Sequence, residues 1–165
     1  MKKVAVIMGS ASDLPLAREA LAVLDEFGVP HCARVLSAHR SPDALAAFAK
    51  SCASEDYGVI IAIAGKAAHL AGAIAANTGL PVIGVPVKSS DLGGLDALLS
   101  TVQMPKGVPV AAVAIDGATN AALLAVRILA LGCAELSNKL ARHMQLMNEK
   151  AAETDSALQK EIYKI

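Results

Sequence analysis

Two short segments concentrate side chains that can move protons and hold anions. Ser37-Ala38-His39-Arg40-Ser41-Pro42 sets an imidazole beside a guanidinium. Histidine is the residue type that exchanges a proton close to neutral pH, so it can act as an acid in one step and a base in the next. The planar donor fork of arginine suits phosphate or carboxylate. Ser37 and Ser41 add hydroxyls, and Pro42 stiffens the exit from the segment. A lone surface histidine is usually only solvated; a His-Arg pair beside a second hydroxyl-rich segment is less easily dismissed. That second segment is Gly9-Ser10-Ala11-Ser12-Asp13. Glycine permits a tight reversal, and a helix start offers free N–H groups and the positive end of a dipole, so the two serines there can help cradle an anion. The pattern is neither GxGxxG nor a Walker loop. Taken alone, Ser12 and Asp13 read as helix caps.

A third segment, Gly65-Lys66-Ala67-Ala68-His69-Leu70, carries another histidine among small residues that let a ligand approach the backbone. For His69, capping or packing is as good a reading as catalysis. His31 and His143 fall inside element patterns and read as structural, and Asp91 and Asp96 do not make a convincing carboxylate pair. Cys32, Cys52 and Cys133 are odd in number and scattered, without zinc spacing. They read as free thiols of a reducing cytoplasm, and no metal is expected.

The elements that must position these residues follow from periodicity. Val4–Met8 reads as a buried parallel strand, followed by a helix capped at Ser12 or Asp13 and closed by Gly28. His31–Leu36 is a second strand, and Pro42 opens a helix to about Ser54. Gly58–Ala64 is a third strand, and a helix is predicted over Ala67–Asn77. Pro81–Val85 and Pro109–Ile115 read as strands, and Leu95–Val102 and Asn120–Leu131 as helices. Alternating strands and helices imply right-handed crossovers and a parallel sheet covered on both faces. The expected fold class is a three-layer α/β/α flavodoxin-like domain. In such sheets ligands gather beyond the carboxyl ends of the strands, where all three segments fall, together with Pro86–Ser90 after the fourth strand. From Leu136 an amphipathic helix begins, with Leu136, Leu140, His143, Met144 and Met147 on one stripe. Residues 136–165 are expected as a helical extension of a single 1–165 domain, packed on the domain itself or at a subunit interface.

Composition narrows the partners. The 165 residues carry 15 Lys and Arg against 15 Asp and Glu, so the net charge is zero and neither nucleic acid nor an anionic membrane surface is an expected partner. Apolar residues make up 55% and charged residues 18%, which argues against disorder. The apolar surplus at this size suggests a homo-oligomer. The run Val4–Met8 is too short for a signal core, and no apolar stretch is long enough to span a bilayer.

Together these segments resemble the bacterial N5-carboxyaminoimidazole ribonucleotide mutases, also called the catalytic subunit of phosphoribosylaminoimidazole carboxylase. The resemblance continues through Leu80-Pro81-Val82-Ile83-Gly84-Val85-Pro86-Val87, Gly94-Leu95-Asp96, Val102-Gln103-Met104-Pro105 and Asn120–Ala125, so it covers nearly the whole chain in order. It implies a purine-biosynthesis isomerase that moves a carboxylate from the exocyclic nitrogen of an aminoimidazole ribonucleotide to ring carbon C4. It further implies a cytoplasmic homo-octamer without metal or organic cofactor, working beside the ATP-dependent synthetase that makes the carbamate. On this resemblance His39 is the acid/base and His69 a second catalytic group. Ser10 and Ser12 contact the nucleotide, Asp13 the ribose hydroxyls and Arg40 the phosphate. Ser37 and Ala38 from the second segment, and Gly65, Ala67, Ala68 and Leu70 from the third, complete the substrate contacts, residues 67–70 as a covering loop.

Lys66 stands where many members carry Gly, and Ala71 where many carry Pro. A related class that carboxylates the free aminoimidazole ribonucleotide with CO2 carries a basic residue near Lys66. Direct carboxylation is therefore the alternative reading. A flavin-binding electron carrier on the same fold is a third; flavins are usually sandwiched by aromatics, and the rim segments contain none.

Overall fold

The computed structural model describes residues 1–163. Five strands form one parallel sheet: β1 Lys3–Met8, β2 His31–Val35, β3 Tyr57–Gly65, β4 Val82–Val87 and β5 Ala111–Ala112, in the order β2-β1-β3-β4-β5. The helices are α1 Leu14–Phe27, α2 Pro42–Ser51, α3 Leu70–Ala75, α4 Leu95–Val102, α5 Ala118–Ala130 and α6 Ala134–Tyr163.

Period-two alternation in the strands creates the three layers. Val4, Val6 and Met8 of β1 and Val59, Ile61 and Ile63 of β3 pack against α1, α5 and the start of α6. Ala5 and Ile7, with Ile60, Ala62 and Ala64, face α2, α3 and α4. Both faces are therefore apolar, which is why these strands read as continuous hydrophobic runs. Each fully buried Ile or Leu here, such as Ile61 or Leu24, contributes about 1.5–3 kcal/mol relative to exposure. Alanines let the layers approach closely, and Gly84 carries this furthest: an added Cβ would collide with Thr101 Cγ2 of α4.

The chain leaves β1 for β2 on one side and returns to β3 on the other. The loops after β1 and β3 thus diverge, and a crevice opens at the carboxyl ends of the central strands.

Most element ends fall within two residues of the sequence expectation, and three elements depart further. The fifth strand keeps two ladder positions, Ile83 to Ala111 and Gly84 to Ala112. Pro109 has no N–H to donate, and the strand lies at the edge. The second helix ends at Ser51, followed by a turn from Cys52 into β3. The Ala-rich third helix begins at Leu70, not Ala67. Lys66 takes a left-handed φ of 54°, and Ala68 N–H bonds Lys66 O while His69 N–H bonds Ala67 O, both at 2.8 Å. Those narrow turns hold residues 66–69 out of the helix.

α6 is a single helix of 30 residues, roughly 45 Å long at 1.5 Å per residue. Its first turns dock on the domain: Leu136 is buried, Leu140 packs on the core, and Lys139 Nζ donates to Phe27 O at 2.9 Å. Glu135 Oε1 receives the same ammonium at 2.9 Å, which holds its carboxyl below the usual range. His143 lies against Phe27, with ring centroids 5.5 Å apart. Beyond it, Met144, Leu146, Met147 and Leu158 are half exposed. The end of the 136–165 extension, residues 164–165, lies outside the described residues.

Candidate active site

The crevice is a cleft of about 580 Å³ walled by the loops after the first four strands. The loop after β1 contributes Ser10, Ser12 and Asp13. Ser10 and Asp13 form a capping box: Ser10 Oγ accepts from Ser12 N–H at 3.3 Å, and Asp13 Oδ2 accepts from Ser10 N–H at 3.0 Å. Ser12 Oγ donates to Ser10 Oγ at 3.0 Å. The box closes a short 3-10 turn over Ala11–Asp13 with Ser10 as its cap; Asp13 then stands at the N-cap position of α1 without a side-chain cap bond, so the helix cap expected from Ser12 or Asp13 is formed by neither. Asp13 is only 8% exposed, and its desolvation raises the carboxyl pKa against the lowering pull of Ser10, Ser12 and Arg40. A carboxylate kept at a desolvation cost beside a cleft is a functional-site signature.

The loop after β2 places Ser37, Ala38, His39 and Arg40 on the same cleft. Arg40 bridges to the first loop, Nη2 donating to Gly9 O at 2.9 Å and Nε to Ser37 Oγ at 3.3 Å. Two of the five guanidinium N–H groups are therefore used on the protein, and the rest stay available to an anion.

The loop after β3 brings Gly65, Ala67 and Leu70 to the cleft. His69 belongs to the neighbouring surface beside Gly72, Gln103 and Met104, yet its Nδ1 stands 3.0 Å from His39 Nε2. The rings meet edge to face, with centroids 5.1 Å apart. Ala68, expected as a contact, is 1% exposed and packs into the core beneath the loop.

Lys66 lines the mouth, with Nζ 3.4 Å from Asp91 Oδ2 and both side chains 71% exposed. The sequence places Pro86–Ser90 at this edge without assigning any of them a role, and after β4 Val87, Lys88, Ser89 and Ser90 complete the wall. Position at the carboxyl end of a central strand was the available signal. Buried Ser89 shapes this loop, its hydroxyl donating to Asp96 Oδ1 at 2.9 Å and accepting from Leu92 and Gly94 N–H. Asp91 and Asp96 thus serve separate contacts. His31 also has a structural partner, Nδ1 lying 2.9 Å from Val29 O.

Among the described residues, no group of three or more His, Cys, Asp or Glu is placed to hold a metal, and no helix is long and apolar enough to cross a membrane.

An open parallel sheet whose carboxyl-end cleft joins a guanidinium, a desolvated carboxylate and paired imidazoles belongs to the α/β enzymes that bind small anionic substrates. Comparison with known proteins makes the assignment specific. Residues 3–150 match the AIR carboxylase family, and the chain belongs to it. It is 54% identical over 156 residues to the N5-carboxyaminoimidazole ribonucleotide mutase of Pyrococcus horikoshii, covering 94% of this chain and 88% of that one. It is 48% identical over 164 residues to the mutase of the same name from Thermotoga maritima, covering 99% and 96%. The crystal structure of Treponema denticola PurE superposes with a TM-score of 0.89 at 30% identity, over 96% of this chain and 99% of that one.

Proposed function

We propose that His39, held against His69, is the proton-transfer centre of a carboxylate-shifting enzyme of purine biosynthesis. The enzyme is an isomerase. It converts N5-carboxyaminoimidazole ribonucleotide to 4-carboxy-5-aminoimidazole ribonucleotide, and its substrate is a small-molecule ribonucleotide. The observation that carries the catalytic reading is the 3.0 Å contact of His39 Nε2 with His69 Nδ1 at the cleft rim. Relatives named as mutases over nearly the full chain support the reaction.

The steps balance with one shuttled proton. His39 protonates the exocyclic nitrogen as its bond to the carboxylate breaks, releasing CO2 and the electron-rich aminoimidazole. Ring carbon C4 then attacks CO2, and the C4 proton returns to His39. The same imidazole serves as acid and then base. CO2 must stay beside the ring between the steps, a proximity requirement that favours a closed, partly dry site. Ala67 and Leu70 supply small and apolar lining there, and His69, in contact with His39 Nε2, orients the shuttling ring.

Arg40 takes the phosphate with its unused N–H donors. Asp13 accepts from the ribose hydroxyls, with Ser10 and Ser12 beside it. Ser37, Ala38 and Gly65 line the path of the base and carboxylate. Direct carboxylation by free CO2 remains the second reading because Lys66 stands at the mouth. A flavin carrier is disfavoured: no Tyr or Phe lines the cleft, and Phe48 and Tyr57 pack on each other elsewhere.

The working form is a homo-oligomer, an octamer on the family likeness. The half-exposed apolar residues of α6 supply a surface for such contacts, and light scattering that found a monomer would refute this. The free thiols Cys32, Cys52 and Cys133 suit a reducing cytoplasm. Burial pushes the Cys52 thiol up to about 11, so it is poorly reactive there.

The decisive test of the catalytic reading is His39→Asn, assayed for turnover and for nucleotide binding on the same preparation. Loss of turnover with retained binding is expected. Near-parental turnover would remove His39 from the acid–base role.

A further inference from the structure

We infer that Ser41, which does not line the cleft, is a positioning residue that acts through Ser37 to set His39 and Arg40. This inference rests on the reading of His39 as the acid/base. Ser41 occupies the N-cap of α2, where a serine hydroxyl ordinarily accepts from the second or third helical N–H. Here it makes no such bond. The hydroxyl turns back across the loop instead. Ser41 Oγ accepts from Ser37 N–H at 3.0 Å and donates to Ser37 O at 3.2 Å, while Ser41 N–H bonds Ser37 O at 3.0 Å. Both backbone groups of Ser37 are thereby held by one residue.

Ser37 passes that constraint on. Its Oγ accepts from His39 N–H at 3.3 Å, Arg40 N–H at 3.2 Å and Arg40 Nε at 3.3 Å. One hydroxyl thus fixes the backbone that carries the imidazole and the side chain that carries the guanidinium. Arg40 extends the chain of contacts to Gly9 O. The chain from Ser41 to Ser37 to the His39-Arg40 pair forgoes a helix cap, a stabilising contact, in favour of a defined loop. Retaining such a local compromise is expected where geometry serves function. Because a misplacement near 1 Å can cost about 10²-fold in rate, the loop's shape bears directly on turnover.

The test compares Ser41→Ala with Ser41→Thr, whose hydroxyl keeps the same donor and acceptor. Steady-state kinetics, melting temperature and NMR of the His39 imidazole are measured on both. Ser41→Ala is expected to lower kcat/KM by about tenfold to 10²-fold, chiefly in kcat, with displaced His39 resonances. Ser41→Thr is expected within about threefold of the parent, with the resonances restored. If Ser41→Ala does not fold, Ser41→Cys takes its place, since a thiol is a weak donor and acceptor. Parental kcat with unmoved His39 resonances in the folded Ala or Cys variant would overturn the inference, as would failure of Thr to rescue. An active His39→Asn enzyme would overturn the acid–base reading instead, so the two failures are distinguishable.

Discussion

His39 Nε2 and His69 Nδ1 stand 3.0 Å apart although 30 residues separate them in the chain. The contact ties the loop after β2 to the loop after β3, across the crevice that the sheet order opens. One N–H lies between the rings, so one imidazole donates and the other accepts. The contact therefore fixes the orientation of one ring by the other.

His39→Asn is therefore expected to lower kcat by about 10²–10⁴-fold, and by more if both proton steps depend on it. Nucleotide affinity by calorimetry should stay within a few-fold, because Asn keeps part of the hydrogen bonding. His69→Ala should lower kcat by less, about tenfold to 10²-fold, as expected for loss of orientation rather than of the proton carrier. Equal losses in both variants would argue that His69 carries a proton itself.

Arg40→Ala should act mainly on KM. Losing a charge-assisted contact to phosphate costs on the order of 1.5–3 kcal/mol. Arg40→Lys should rescue only part of this, because a lysine cannot reproduce the two donors that hold Gly9 O and Ser37 Oγ. A large fall in kcat with unchanged KM would contradict the phosphate role.

Asp13 allows a pH test with a defined sign. Its folded pKa lies above the ordinary 3.8, chiefly through desolvation. The native state thus holds this proton more tightly than the unfolded chain. The contribution to stability is largest below 3.8 and is lost as pH rises through the raised folded value. Asp13→Asn removes that loss while its side-chain oxygen still accepts from Ser10 N–H. Relative to the parent, the variant should gain in melting temperature from pH 4 toward neutrality and hold the gain above it, while KM rises. A variant less stable at pH 8 with unchanged KM would refute both parts.

Lys66→Gly should leave turnover within about twofold and hold or raise the melting temperature. Lys66 adopts φ 54°, where a side chain costs about 1–2 kcal/mol and glycine does not. Its pairing with Asp91 is exposed and worth at most about 1 kcal/mol. A turnover loss above about tenfold would move Lys66 into the catalytic machinery.

The layers and the site loops were legible because each has a local cause. Strands with both faces buried read as apolar runs, and Pro42 and Gly28 mark real helix ends. The loops carrying Ser10, His39 and His69 follow their strands as the pattern required. What escaped depends on contacts between distant segments. The His39–His69 contact and the Arg40 bridge to Gly9 leave no spacing signature, and Ala68 turns inward because residues 66–69 form tight turns. Pro86–Ser90 was legible as part of the ligand edge but not as a wall of this particular cleft, because that depends on β4 lying beside β3 in the sheet order. The diverted hydroxyl of Ser41 was hidden by its ordinary appearance as a helix cap.

Mutase and carboxylase are separated by supplying N5-carboxyaminoimidazole ribonucleotide to the purified enzyme at low bicarbonate, without ATP or added metal, and following the C4-carboxylated product. Rapid conversion that added bicarbonate does not accelerate is expected of a mutase, because the carboxylate arrives on the substrate and is held through the transfer. Poor use of the carbamate, beside rapid bicarbonate-dependent carboxylation of the free aminoimidazole ribonucleotide, would contradict the mutase reading.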